Sequence, residues 1–96
     1  MLKNHSLTLD QSITQRKGNI VSNMGGEKVM LSIENGKYYN LGEVGGDIWD
    51  TIENPVTITE LVDTLMAKYE IDKETCLSHV LSFIEMLKDE ELIKFK

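Results

Sequence analysis

A chain of 96 residues has room for one domain with a thin core, and 41% apolar residues are enough to build one. Ten basic residues against 16 acidic ones give a formal charge of −6, which argues against nucleic acid as the main partner, because phosphate binding needs clustered cations. The single cysteine excludes an internal disulfide, no apolar run approaches the ~18 residues of a membrane span, and Met1 to Ser6 lack the apolar stretch of a secretion signal, so a cytoplasmic location is expected.

Residues 1–17 read as an N-terminal arm, with Leu7 to Ile13 as a candidate extra strand, and residues 18–96 as the domain proper. Ile20 to Met24 is a short apolar-leaning run, and Gly25-Gly26 after it supply the positive φ angles of a tight turn. Lys28 to Ile33 is a second run, with Val29, Leu31 and Ile33 at period two. Asn35-Gly36 between two such runs is the strongest short-range hairpin signal, and Glu34 and Lys37 flank it as an opposite-charge pair. Tyr38 to Leu41 is the third run. A two-residue loop sets Ile33 opposite Tyr38, with Val29, Leu31, Ile33 and Tyr38 on one face and Tyr39 and Leu41 on the other. A longer loop is expected to shift that register and flip the faces, so which tyrosine is buried stays open.

Three helices follow. Val44, Ile48 and Ile52 recur at i, i+4, i+8 with Trp49 beside them, and Gly42 is the expected N-cap. Gly45 and Gly46 each cost about 1 kcal/mol inside a helix. Gly45 shares the stripe of Leu41, Ile48, Trp49 and Ile52, so close backbone packing is the expected reason. Asn54-Pro55 ends this helix. Thr57 and Glu60 have the spacing of a capping box, and Ile58, Leu61, Val62, Leu65, Met66 and Tyr69 give a clean amphipathic pattern. Asp72 caps a third helix to about Glu90, whose apolar positions, from Leu77 to Leu87, cover more than one stripe. Leu92 to Phe95 reads as a short closing strand.

The order is α+β: a three-stranded antiparallel meander, then three helices. The third strand, Lys37 to Leu41, is an edge unless a fourth strand covers it, and it carries no Pro and one charge. An open edge beside an over-apolar helix forms a groove that accepts an added peptide strand.

The chain offers little chemistry. Cys76 and His79 at i, i+3 supply at most two metal ligands, with His5 remote from both, and no orienting residue makes them a nucleophile and base. Gly42, Gly45 and Gly46 at a helix start lack the rest of a phosphate-loop pattern. Asp89-Glu90-Glu91 reads as a solvated face, with attraction of a basic partner segment as the alternative. No catalytic residue, metal or cofactor is expected.

Glu34-Asn35-Gly36-Lys37-Tyr38-Tyr39-Asn40-Leu41, then Glu43-Val44-Gly45 and Ile48-Trp49, resemble the hallmark segment of PqqD-like proteins. These are the leader-peptide recognition elements of pathways that make and modify ribosomal peptides. Thr59 to Val62, Leu65, Tyr69, Asp72, Val80, Phe83-Ile84, Leu87 and Leu92-Ile93 continue the pattern, so the resemblance covers roughly residues 13–94. The chain is similar to the discrete, unfused form found in lasso peptide biosynthesis. It departs at Gly42, where the family commonly has Asn, and at Gly46, often a bulkier residue.

The resemblance implies a winged-helix-like fold and a non-catalytic adaptor. A precursor's leader would dock as an added strand on Lys37, Tyr38, Tyr39, Asn40 and Leu41, against a helix wall of Cys76, Val80, Phe83 and Leu87. A Tyr and a Pro of the leader would anchor in apolar pockets. The implied partners are a leader peptidase and an ATP-dependent cyclase, with the chain a monomer or weak homodimer. The rivals are a structural dimerisation module that pairs the third strand with its own copy, and a DNA-binding winged helix. The third helix counts against the latter, since Lys73 and Lys88 face Glu74, Glu85, Asp89 and Glu90.

Overall fold

In the computed structural model, which describes residues 9–95, the chain runs β1 (Ser12–Gln15), β2 (Asn19–Met24), β3 (Glu27–Ser32), β4 (Lys37–Leu41), α1 (Gly42–Thr51), β5 (Val56–Thr57), α2 (Ile58–Lys68), α3 (Lys73–Asp89) and β6 (Ile93–Phe95). The part of the expected arm in residues 1–8, His5 included, lies outside the described residues. No helix among the described residues is long and apolar enough to cross a membrane.

The two hairpin signals build a meander in the order β2-β3-β4. Gly25 and Gly26, with φ of 64° and 87°, make the two-residue turn between Met24 and Glu27. The second loop is the longer of the two alternatives. Its ladder closes at Ser32 and Lys37, and the Gly36 N–H donates to the Ser32 carbonyl at 2.8 Å. Leu31, rather than Ile33, therefore lies opposite Tyr38. The flip expected of a longer loop does not occur, because the register moves by two residues and side chains alternate with a period of two. Met30, Ser32 and Leu41 are buried against the body with Tyr39 half-buried beside them, whereas Tyr38 is 76% exposed on the outer face. That settles the tyrosines: Tyr39 faces inward.

A second sheet, in the order β5-β1-β6, adds to the meander expected from sequence. β1, assigned to the arm, is its central strand, and Ile13 is fully buried. The Thr14 hydroxyl donates to the Ile52 carbonyl at 2.9 Å and the Gln15 amide to the Trp49 carbonyl at 2.6 Å, so β1 also closes the end of α1.

Local sequence sets the helix ends. Leu41, one residue before the expected cap, occupies the N-cap position of α1 without a side-chain bond. Gly42 has φ of 72°, a conformation that glycine and asparagine tolerate, and its N–H donates to Asn40 Oδ1 at 3.0 Å. Thr57 and Glu60 form the expected capping box, and Asp72 Oδ2 accepts from the Thr75 N–H at 3.0 Å. After α3 the chain reverses at Glu91, whose φ is 59°, and the Leu92 N–H donates to the Leu87 carbonyl at 2.8 Å. This turn buries Leu92 and Ile93 under the helices and leaves Glu90 at the hairpin's side.

Candidate functional site

β4 pairs with β3 along one side only; among the described residues its other side carries no strand. The edge has neither Pro nor bulge, so its backbone groups stay available to an extended chain. α3 and its C-cap residue make two contacts here, one with the hairpin and one with α1. The first is polar. The Tyr39 hydroxyl donates to Glu90 Oε1 at 2.6 Å, and Lys37 Nζ reaches the same oxygen at 3.4 Å. Asn35 Nδ2 donates to the Tyr39 hydroxyl at 3.1 Å and to the Glu90 carbonyl at 2.8 Å. The second is apolar: the Phe83 ring lies directly over Gly45 of α1.

Between these helices lies an open cavity of about 410 Å³, mostly apolar, lined by Val44, Gly45, Ile48, His79, Ser82, Phe83 and Met86. A tighter apolar cavity of about 180 Å³ continues past Val44 and His79, walled by Leu65, Tyr69, Ile71 and Cys76. Its rim is braced by a hydrogen bond from the Tyr69 hydroxyl to Asp47, which Lys68 Nζ also meets at 3.0 Å. The bond to Asp47 pushes the Tyr69 phenol up to about 12, and the same bond holds the Asp47 carboxyl below its ordinary value.

The structure redraws the helix wall. Lys37 to Leu41 form the open edge as expected, and Phe83 lines the larger cavity. Val80 and Leu87 are wholly buried, and Cys76, 2% exposed, only floors the smaller cavity. Their side chains point into the core, away from the edge strand. The face that α3 offers is instead His79, Ser82, Phe83 and Met86, of which the sequence reading held only Phe83 as a site residue. The spacing 79, 83, 86 was the available signal.

Cys76 is not primed as a nucleophile. Cys76 sits 3.8 Å from the Val62 carbonyl, and burial pushes its thiol up, with the Asp72 charge adding to the effect, the reverse of an activated nucleophile. His79 also borders the smaller cavity, but its side chain is open to water where that of Cys76 is not. The arrangement can hold an extended chain by its backbone and bury two apolar side chains.

The polar contact to Glu90 makes part of the stability pH-dependent. The Tyr39 bond, with Lys37 beside it, holds the Glu90 carboxyl below its ordinary value; burial first, then Glu90, raises the Tyr39 phenol. A depressed carboxyl contributes stability above its unfolded pKa and loses it on acidification; a raised phenol contributes below about pH 10 and loses it as pH rises. Tyr39→Phe is therefore expected to lower the urea midpoint near neutral pH. Its deficit relative to the wild type should shrink as pH falls below about 4.3. A deficit that stays constant on acidification would show that ionised Glu90 is not the partner that matters.

A family model described as coenzyme PQQ synthesis protein D (PqqD) matches residues 27–93, from the start of β3 to the start of β6. No curated protein matches the chain. Among solved structures, that of TbiB1 in complex with the TbiA(beta) leader peptide superposes with a TM-score of 0.75 at 27% identity, covering 84% of this chain and 94% of that one.

Proposed function

The chain belongs to the PqqD family, and from that premise we propose that it is a non-catalytic adaptor that captures the leader segment of a ribosomally made precursor peptide. The leader adds as a strand to the open side of β4 and lays apolar side chains into the cavities between α1 and α3. One observation carries this reading: an unblocked strand edge beside an apolar trough that no segment among the described residues fills. The similarity to TbiB1, solved with a leader peptide, supports it.

The energetics favour this division of labour. Backbone hydrogen bonds along a five-residue strand each net about 0.5–1.5 kcal/mol, and they barely offset the ordering of a disordered leader. Two buried anchors add about 1.5–3 kcal/mol each, so the surplus that holds the leader comes mainly from them. A backbone ladder is indifferent to sequence, so selectivity sits in the cavities. The expected anchors, a Tyr and a Pro of a lasso-type leader, suit one larger and one smaller apolar space. The bound leader is then presented to a leader peptidase and an ATP-dependent cyclase of the same pathway.

The test is a titration of isotope-labelled protein with a synthetic leader from a short precursor encoded beside this gene, followed through backbone amide shifts. Residues 37–41, Val44, His79, Phe83 and Met86 should move together and saturate at micromolar peptide. Unmoved signals on β4 and α3 at high micromolar peptide would end the adaptor reading. The same open edge also admits the alternative of self-pairing through β4. Sedimentation without peptide separates the two, because an adaptor stays monomeric until the leader is added.

A further inference from the structure

We propose that Gly45 shapes the groove, its missing side chain being the niche in which the Phe83 ring rests; this rests on the leader-binding reading above. A Cβ built on Gly45 would lie 2.8 Å and 2.9 Å from two carbons of the Phe83 ring, closer than real Cβ contacts. Gly45 has ordinary helical φ, so no backbone strain demands glycine here. What demands it is the ring.

The consequence is directional. Leu41 lies 3.5 Å from the same position, and Leu41 and Ile48 are buried on the core side. Phe83 is only half-buried, and its ring tip is the far end of a mobile side chain. Any group larger than hydrogen at position 45 therefore drives the ring outward, into the cavity of about 410 Å³ that it lines with Val44, His79 and Met86. The displaced ring takes up the space an incoming apolar side chain needs. Gly45 thus determines which side chains the groove admits without itself providing any surface to grip them. The glycine is also retained against helix propensity, since alanine is the better helix former.

The experiment compares wild type, Gly45→Ala and Gly45→Ala combined with Phe83→Leu, using the synthetic leader encoded beside the gene. Gly45→Ala should stay folded, melt at or above the wild-type temperature, and bind the peptide at least about tenfold more weakly. The double variant, whose shorter leucine fits beside the new methyl, should bind more tightly than Gly45→Ala alone. In the free wild type, the Gly45 α-protons should show the upfield shift of protons beneath an aromatic ring, and Phe83→Leu should abolish it. Binding by Gly45→Ala within about twofold of wild type would overturn the inference while leaving the adaptor reading intact. So would a marked drop in melting temperature, which would mean the ring has no way out, or a double variant no better than the single one. A wild type that does not bind the peptide at all would end both.

Discussion

Phe83→Asp is expected to leave the chain folded and to weaken leader binding by about 100-fold or more. The ring lies above Gly45 and lines the groove with His79 and Met86. Removing it forfeits the burial of a large apolar side chain, about 1.5–3 kcal/mol. The carboxylate adds a second loss, because a docked strand would strip water from a charge with no Lys or Arg among the residues lining the cavity. The fold should survive, since Val80, Ile84 and Leu87 fill the core while Phe83 stays half-buried at the groove. Calorimetric titration together with far-ultraviolet circular dichroism decides the matter. A well-folded variant with wild-type affinity would remove Phe83 from the binding surface and with it the case for this groove.

The sequence made the edge strand legible and the helix wall only half so, for a physical reason. Hairpins, caps and the order of elements are local: Gly25-Gly26, Asn35-Gly36, Thr57 with Glu60 and Asp72 each act on neighbours a few residues away. The second sheet is not local. It joins strands of four, two and three residues drawn from positions 12–15, 56–57 and 93–95, too short for any periodicity to show. The loop at Asn35-Gly36 likewise lengthened because Ser32 turns inward and its hydroxyl accepts the Asn35 N–H at 3.1 Å, a tertiary choice that local turn preference does not encode.

α3 shows the ambiguity most clearly. It carries two stripes, Cys76, Val80, Ile84 and Leu87 toward the core, and His79, Phe83 and Met86 toward the groove. Both have helical spacing, and the first is the more apolar, so hydrophobicity ranks the core stripe ahead of the binding stripe. Only the position of α1 decides between them. Phe83 is the side chain that packs nearest Gly45, which sets the second stripe against α1 beside the open strand.

Adjacent substitutions on α3 should separate those two stripes. Leu87→Ala removes a side chain with no exposed surface, and such truncations cost about 2–5 kcal/mol. Small domains hold about 5–15 kcal/mol in all, so the urea midpoint should fall by one molar or more, given a slope of about 1–3 kcal/mol per molar. The molecules that remain folded should bind leader as the wild type does, because the groove keeps Phe83 and Met86. Met86→Ser should do the reverse: little change in urea midpoint, since the side chain is only half-buried, and a loss of affinity of about tenfold from one groove wall. Affinity per folded molecule that falls with Leu87→Ala but holds with Met86→Ser would return the binding wall to the core stripe. It would also mean that α3 rotates when the leader docks, since a residue so completely buried has no other way to reach it.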